Sequence, residues 1–123
     1  ANFFFRRPDL FNGMLALSGL YHASYGFDGY MDGLVYENSP QDFLQQMPSD
    51  HPWMQAYRRS KIVFCVGQGR WEDDLLWSTR EMDRILKEKG VDNAWFDYWG
   101  YDVDHDWPFW RRQVPYFVDK LVQ

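Results

Sequence analysis

Three short apolar runs punctuate the chain, and what separates them decides its fold class. Gly13-Met-Leu-Ala-Leu-Ser18 is apolar and begins at a glycine, with a second glycine just beyond it. Lys61-Ile-Val-Phe-Cys-Val-Gly67 is the clearest run, and Ala94 to Trp99 is the third. Runs of this length that do not alternate with polar residues suit strands covered on both faces, as in a parallel sheet. Between the second and third runs, Leu75, Leu76, Thr79, Met82, Ile85 and Leu86 mark one face of a helix that ends at Gly90, a good C-terminal cap. Beyond the third, Trp107, Trp110, Val114, Phe117 and Leu121 fall at helical spacing. Asp106 can cap that helix, and Pro115, which removes a backbone donor, predicts a kink near Arg111.

The remaining segments are less regular. Ala1 to Arg7 reads as the end of a helix stopped by Pro8, whose preceding residue is pushed out of the helical region. From Gly19 to Ser60 the pattern is irregular and rich in aromatic residues. It predicts one helix over Gln41 to Met47, capped by Ser39-Pro40, and another around Trp53 to Arg59. Strands separated by helices pair in parallel through right-handed crossovers. The expected fold is therefore α/β: three parallel strands with helices on both faces. A sheet this narrow leaves an edge that needs a neighbour.

Composition changes the picture mainly by exclusion. At 123 residues the chain is at most one domain, able to bury about two-thirds of its unfolded surface. Its 13 basic residues are outnumbered by 18 acidic ones, and Arg6-Arg7, Arg58-Arg59 and Arg111-Arg112 are isolated pairs. A nucleic acid or an anionic membrane is therefore not an expected partner. No apolar stretch approaches the roughly 18–20 residues of a membrane span. Cys65 stands alone in an apolar strand, which predicts a buried, reduced thiol and no disulfide framework. A cytoplasmic location is the expectation. The chain opens inside a helix, so the true N-terminus is expected to lie further upstream.

Candidate chemistry gathers behind the second and third strands. In open α/β sheets, sites form at the carboxyl ends of the strands. His105 lies a few residues beyond the third, and imidazole is the usual general base near neutral pH. Glu72, Asp73 and Asp74 follow the second strand, and one of them could orient the histidine. The spacing Gly69-Arg-Trp-Glu72 puts a carboxylate on the turn leaving the strand. Asp73 or Asp74 would then cap the following helix, so Glu72 is favoured and Asp73 stays open as the alternative. No serine sits on a Gly-x-Ser-x-Gly elbow. Ser18 comes nearest, but the glycine two residues before it is absent. Asp102, Asp104 and Asp106 alternate, yet an EF-type calcium loop would need a glycine where Trp107 stands and a glutamate where Gln113 stands. His22, His51 and His105 lack zinc spacing. No metal and no cofactor are expected. Among the seven tryptophans, Trp71 and Trp107 are singled out because each neighbours a candidate catalytic residue.

These residues resemble the C-terminal half of an esterase of the α/β-hydrolase superfamily, in the esterase D, feruloyl-esterase and mycolyltransferase branch. The resemblance is carried by Ala1-Asn-Phe-Phe-Phe-Arg-Arg-Pro-Asp-Leu-Phe11, Leu17-Ser18-Gly19, Glu37-Asn38-Ser39-Pro40, Gly67-Gln-Gly-Arg-Trp-Glu72 and His105-Asp-Trp-Pro-Phe-Trp110. It implies a partial α/β-hydrolase fold, a three-layer α/β/α fragment spanning 1–123, and carboxylic-ester hydrolysis by a Ser-His-acid triad. His105 would be the base, and the acid would come from the loop holding Glu72. The nucleophilic serine would fall a few residues before Ala1. A small ester is the implied substrate once that N-terminal half is supplied, and the isolated chain is expected to be inactive. The strand edge and Phe3, Phe4 and Phe5 should then be exposed, favouring an oligomer or a companion chain. The competing reading is a non-enzymatic module that binds carbohydrate or protein through its aromatic surface and open edge.

Overall fold

The computed structural model describes residues 1–122. In chain order the elements are α1 (Asn2–Arg6), β1 (Gly13–Leu17), a 3-10 turn (Ala23–Phe27), α2 (Gly33–Glu37), α3 (Pro40–Gln46), α4 (Pro52–Arg58), β2 (Lys61–Val66), α5 (Asp73–Glu88), β3 (Ala94–Tyr98) and α6 (Trp107–Leu121). The strands form one parallel sheet in the order β1-β2-β3. Ala16, Phe64 and Phe96 lie side by side across it, followed by Leu17, Cys65 and Asp97. This is the α/β architecture the apolar runs predict.

Why β2 reads most clearly is now evident: it is the central strand, and Ile62 to Val66 are all buried. Successive strand residues point to opposite faces. Phe64 enters the larger core with Phe5, Tyr57, Met82 and Leu86, stacking on Phe96 with ring centroids 4.6 Å apart. Val63 and Cys65 enter a smaller core with Phe117 of α6. Each large side chain removed completely from water contributes about 1.5–3 kcal/mol. Arg58 fastens α4 to the end of α5, donating to the carbonyls of Lys89 at 2.7 Å and Gly90 at 3.1 Å. Gly90 has φ +75° there, a conformation that favours glycine.

Several expectations are corrected. Phe4 and Phe5 are buried, and only Phe3 is exposed. Phe5 packs against both Tyr57 and Phe64, and the Tyr57 hydroxyl donates to the Phe5 carbonyl. On α6 the buried residues are Gln113 and Phe117, whereas Val114 of the predicted apolar spacing is exposed. A three-stranded sheet offers this helix too little surface to cover its whole apolar stripe. Pro115 lies inside this helix, which is continuous from Trp107 to Leu121. Ser39 precedes α3 as expected, but its hydroxyl accepts from the Ala23 N–H and donates to Asp42 rather than capping the helix. Among the described residues, no strand pairs with the outer edge of β1.

Candidate active site

Parallel strands end at the same rim, so the segments leaving Leu17, Val66 and Tyr98 are brought together by topology alone. The loops after β2 and β3 are then laced to each other. Gln68 N–H donates to the Gly100 carbonyl at 3.1 Å, Gly69 N–H to Val103 at 2.9 Å, and His105 N–H to Arg70 at 3.0 Å. The Arg70 N–H in turn donates to the Asp104 carboxylate at 2.6 Å. Glycine is needed at Gly69, where a Cβ would come within 2.7 Å of the carbonyl oxygens of Tyr101 and Val103. That close approach carries His105 alongside the turn holding Glu72.

Glu72 occupies the N-cap position of α5, yet its side chain does not cap the helix. The carboxylate is wholly buried instead. Its Oε1 accepts a hydrogen bond from the Ser18 hydroxyl at 2.8 Å and lies 3.7 Å from His105 Nδ1. The second distance is too long for a hydrogen bond. Glu72 Oε2 and His105 Nδ1 are both buried, with no hydrogen-bond partner among the described residues. Trp110 closes the site: its ring meets the imidazole edge to face at 4.8 Å, and its Nε1–H donates to Ser18 Oγ at 3.4 Å.

Burial pushes the Glu72 carboxyl above its ordinary range, and Asp104 adds a little to that push. The Ser18 hydrogen bond and the nearby His105 pull in the other direction without cancelling it. A carboxyl raised in the folded state stabilises the fold below its unfolded pKa and gives up that contribution as pH rises through the folded value. Glu72→Gln, which cannot ionise, is therefore expected to melt at a higher temperature than the unsubstituted chain at pH 7. The two should converge below about pH 4, near the unperturbed carboxyl range. Equal melting temperatures at both pH values would contradict this. A stabilising substitution at an acid is the usual mark of a group kept for function rather than for folding.

Of the three acids after β2, the structure brings only Glu72 to His105. Asp73 is exposed in the first turn of α5, and Asp74 is exposed and accepts from the Tyr25 hydroxyl at 2.7 Å. The aspartates around His105 are engaged separately. Asp104 holds the Arg70 N–H, and Asp106 caps α6 through the Trp107 N–H at 2.7 Å. Among the described residues no group of three or more His, Cys, Asp or Glu is placed to hold a metal ion. His22 packs against Tyr25 and Trp77, and His51 accepts from the Trp53 N–H. Trp71, on the loop after β2, and Trp107, the first residue of α6, are 79% and 65% exposed. The buried Cys65 thiol is pushed up to about 12 by burial, which makes it a poor nucleophile. Among the described residues, no helix is long and apolar enough to cross a membrane.

Ser18 is the participant that sequence patterning passes over. It follows β1 directly, is buried, and has φ +50°, a left-handed backbone that costs a serine about 1–2 kcal/mol. Its hydroxyl binds the acid rather than the imidazole, the reverse of the order in a Ser-His-acid relay. The available signal was its place at the end of a buried strand, immediately before Gly19.

No family model and no curated protein matches the chain. Among solved structures, one described as a ferulic acid esterase is similar over 92% of this chain, with 20% sequence identity and a TM-score of 0.67. The alignment covers 42% of that chain, so the 123 residues span about two-fifths of the neighbour's length. At this identity the likeness is one of fold.

Proposed function

We propose that Glu72 and His105 are the acid and base of a serine ester hydrolase, and that this chain is the C-terminal part of a single α/β-hydrolase domain. The observation that carries the reading is a fully buried carboxylate whose Oε1 lies 3.7 Å from an imidazole nitrogen, at the carboxyl rim of a parallel sheet. The fold likeness to a ferulic acid esterase supports it, as does the resemblance of the His105-to-Trp110 segment to the esterase D, feruloyl-esterase and mycolyltransferase branch. A non-enzymatic binding module would have no need of a buried acid beside His105.

In this reading His105 Nε2 takes the proton of a serine hydroxyl as that oxygen attacks the carbonyl of a small ester. Glu72 holds the proton on Nδ1 and stabilises the imidazolium that forms. The proton then passes to the departing alkoxide, leaving an acyl-enzyme, and water attacks with His105 again as base. The serine and the oxyanion donors belong to polypeptide preceding Ala1. The strand bearing them would pair along the open edge of β1, the edge with no partner among the described residues. That edge and exposed Phe3 are where a companion segment, or a second copy, would bind.

The test is esterase activity with and without the preceding segment. The 123-residue chain alone is expected not to turn over p-nitrophenyl acetate. The chain joined to the segment preceding Ala1 in its own reading frame is expected to do so. A folded, joined protein with no turnover would contradict the reading.

A further inference from the structure

We propose that Ser18 is a positioning residue of this site: its hydroxyl, made to donate by the indole of Trp110, holds the Glu72 carboxylate facing His105. The inference rests on the Glu72–His105 pairing and adds a residue to it.

The argument turns on the direction of the protons. An indole N–H can only donate, and that of Trp110 lies 3.4 Å from Ser18 Oγ. Ser18 must accept there, so its single proton goes to Glu72 Oε1 at 2.8 Å. The chain Trp110 to Ser18 to Glu72 therefore runs one way. In this arrangement the Ser18 proton goes to the acid and not to the imidazole, unlike that of an attacking serine in a Ser-His-acid relay. Among the described residues, Ser18 alone donates a hydrogen bond to the carboxylate, and Oε2 has no partner. The atom it fixes is the one that faces His105 Nδ1. A donor of this kind favours the charged form of a buried carboxylate, and the Ser18 bond does oppose the upward push that burial exerts on Glu72.

The backbone supports the same role. Ser18 keeps a left-handed φ of +50°, pinned by its own N–H donating to the Cys65 carbonyl at 2.8 Å. Glycine would adopt that conformation without strain. A strained side chain kept at such a position points to what the side chain does. Trp110 links the two ends of the arrangement, reaching Ser18 with its N–H and meeting the His105 ring in a T-shaped contact.

The test is a carbon-13 NMR titration of the Glu72 carboxyl in the 123-residue chain, compared with Ser18→Ala, Ser18→Gly and Trp110→Phe. Both Ser18 variants should titrate higher at Glu72, by on the order of one pH unit. Trp110→Phe should move it less, in the same direction. Ser18→Gly relieves the backbone strain that Ser18→Ala retains, so a purely conformational role would separate the two variants, whereas loss of the hydroxyl moves both alike. Glycine also keeps the test available if the alanine variant fails to fold. An unchanged Glu72 titration in both variants overturns the proposal and leaves the Glu72–His105 pairing standing. Failure of the pairing itself would show differently, as an Nε2-protonated His105 in the unsubstituted chain, and would take the proposal with it.

Discussion

In the joined protein proposed above, His105→Ala is expected to lower kcat for a p-nitrophenyl ester by about 10⁴- to 10⁶-fold and to leave KM little changed. The size follows from how a Ser-His-acid triad works as a unit: without its base, only the modest catalysis of binding and oxyanion donors would remain. The near-constant KM follows because proton transfer is needed in the transition state and not for holding the substrate. Position makes His105 the group to remove. It sits on the loop after β3, its backbone fastened to Arg70 and its ring in a T-shaped contact with Trp110, and its Nδ1 faces a buried acid. A loss below tenfold would mean that another group takes the proton.

Glu72→Gln in the same protein is expected to lower kcat by roughly 10³- to 10⁴-fold, the cost of losing an anion that would hold the imidazole in the productive tautomer. Asp73→Asn, one residue along, changes kcat by no more than about threefold, as expected for a surface charge screened by solvent. The contrast is sharp because adjacent residues have opposite surroundings. Glu72 is fully buried against Ser18 and His105, whereas Asp73 is exposed in the first turn of α5. The 3.7 Å gap at Nδ1 has to close by about 0.8 Å to become a hydrogen bond. Catalytic hydrogen bonds often tighten only when substrate is bound. Equal losses for the two variants would remove the reason for preferring Glu72.

The sheet was legible in the sequence because each strand carries its own apolar run, and the one that reads best, Ile62 to Val66, is central and fully buried. The spacing of Glu72 and His105 after their strands was legible for a related reason: parallel topology brings the ends of neighbouring strands to one rim whatever the loops contain. What escaped was decided by tertiary contact. Phe4 and Phe5 differ from Phe3 only in facing Tyr57 and the sheet, which a run of identical residues cannot show. On α6 the apolar spacing included Val114, which the narrow sheet leaves exposed. Ser18 escaped because its partner is 54 residues away and no local pattern records a backbone at φ +50°.

The state of one imidazole tests the central claim most directly. Long-range proton–nitrogen NMR of the 123-residue chain, above the pH at which His105 loses its charge, reports which ring nitrogen keeps the proton. With Glu72 as its partner, His105 should carry that proton on Nδ1 and leave Nε2 bare, and Glu72→Gln should release it to Nε2. An Nε2-protonated His105 in both proteins would contradict the pairing on which the whole account stands.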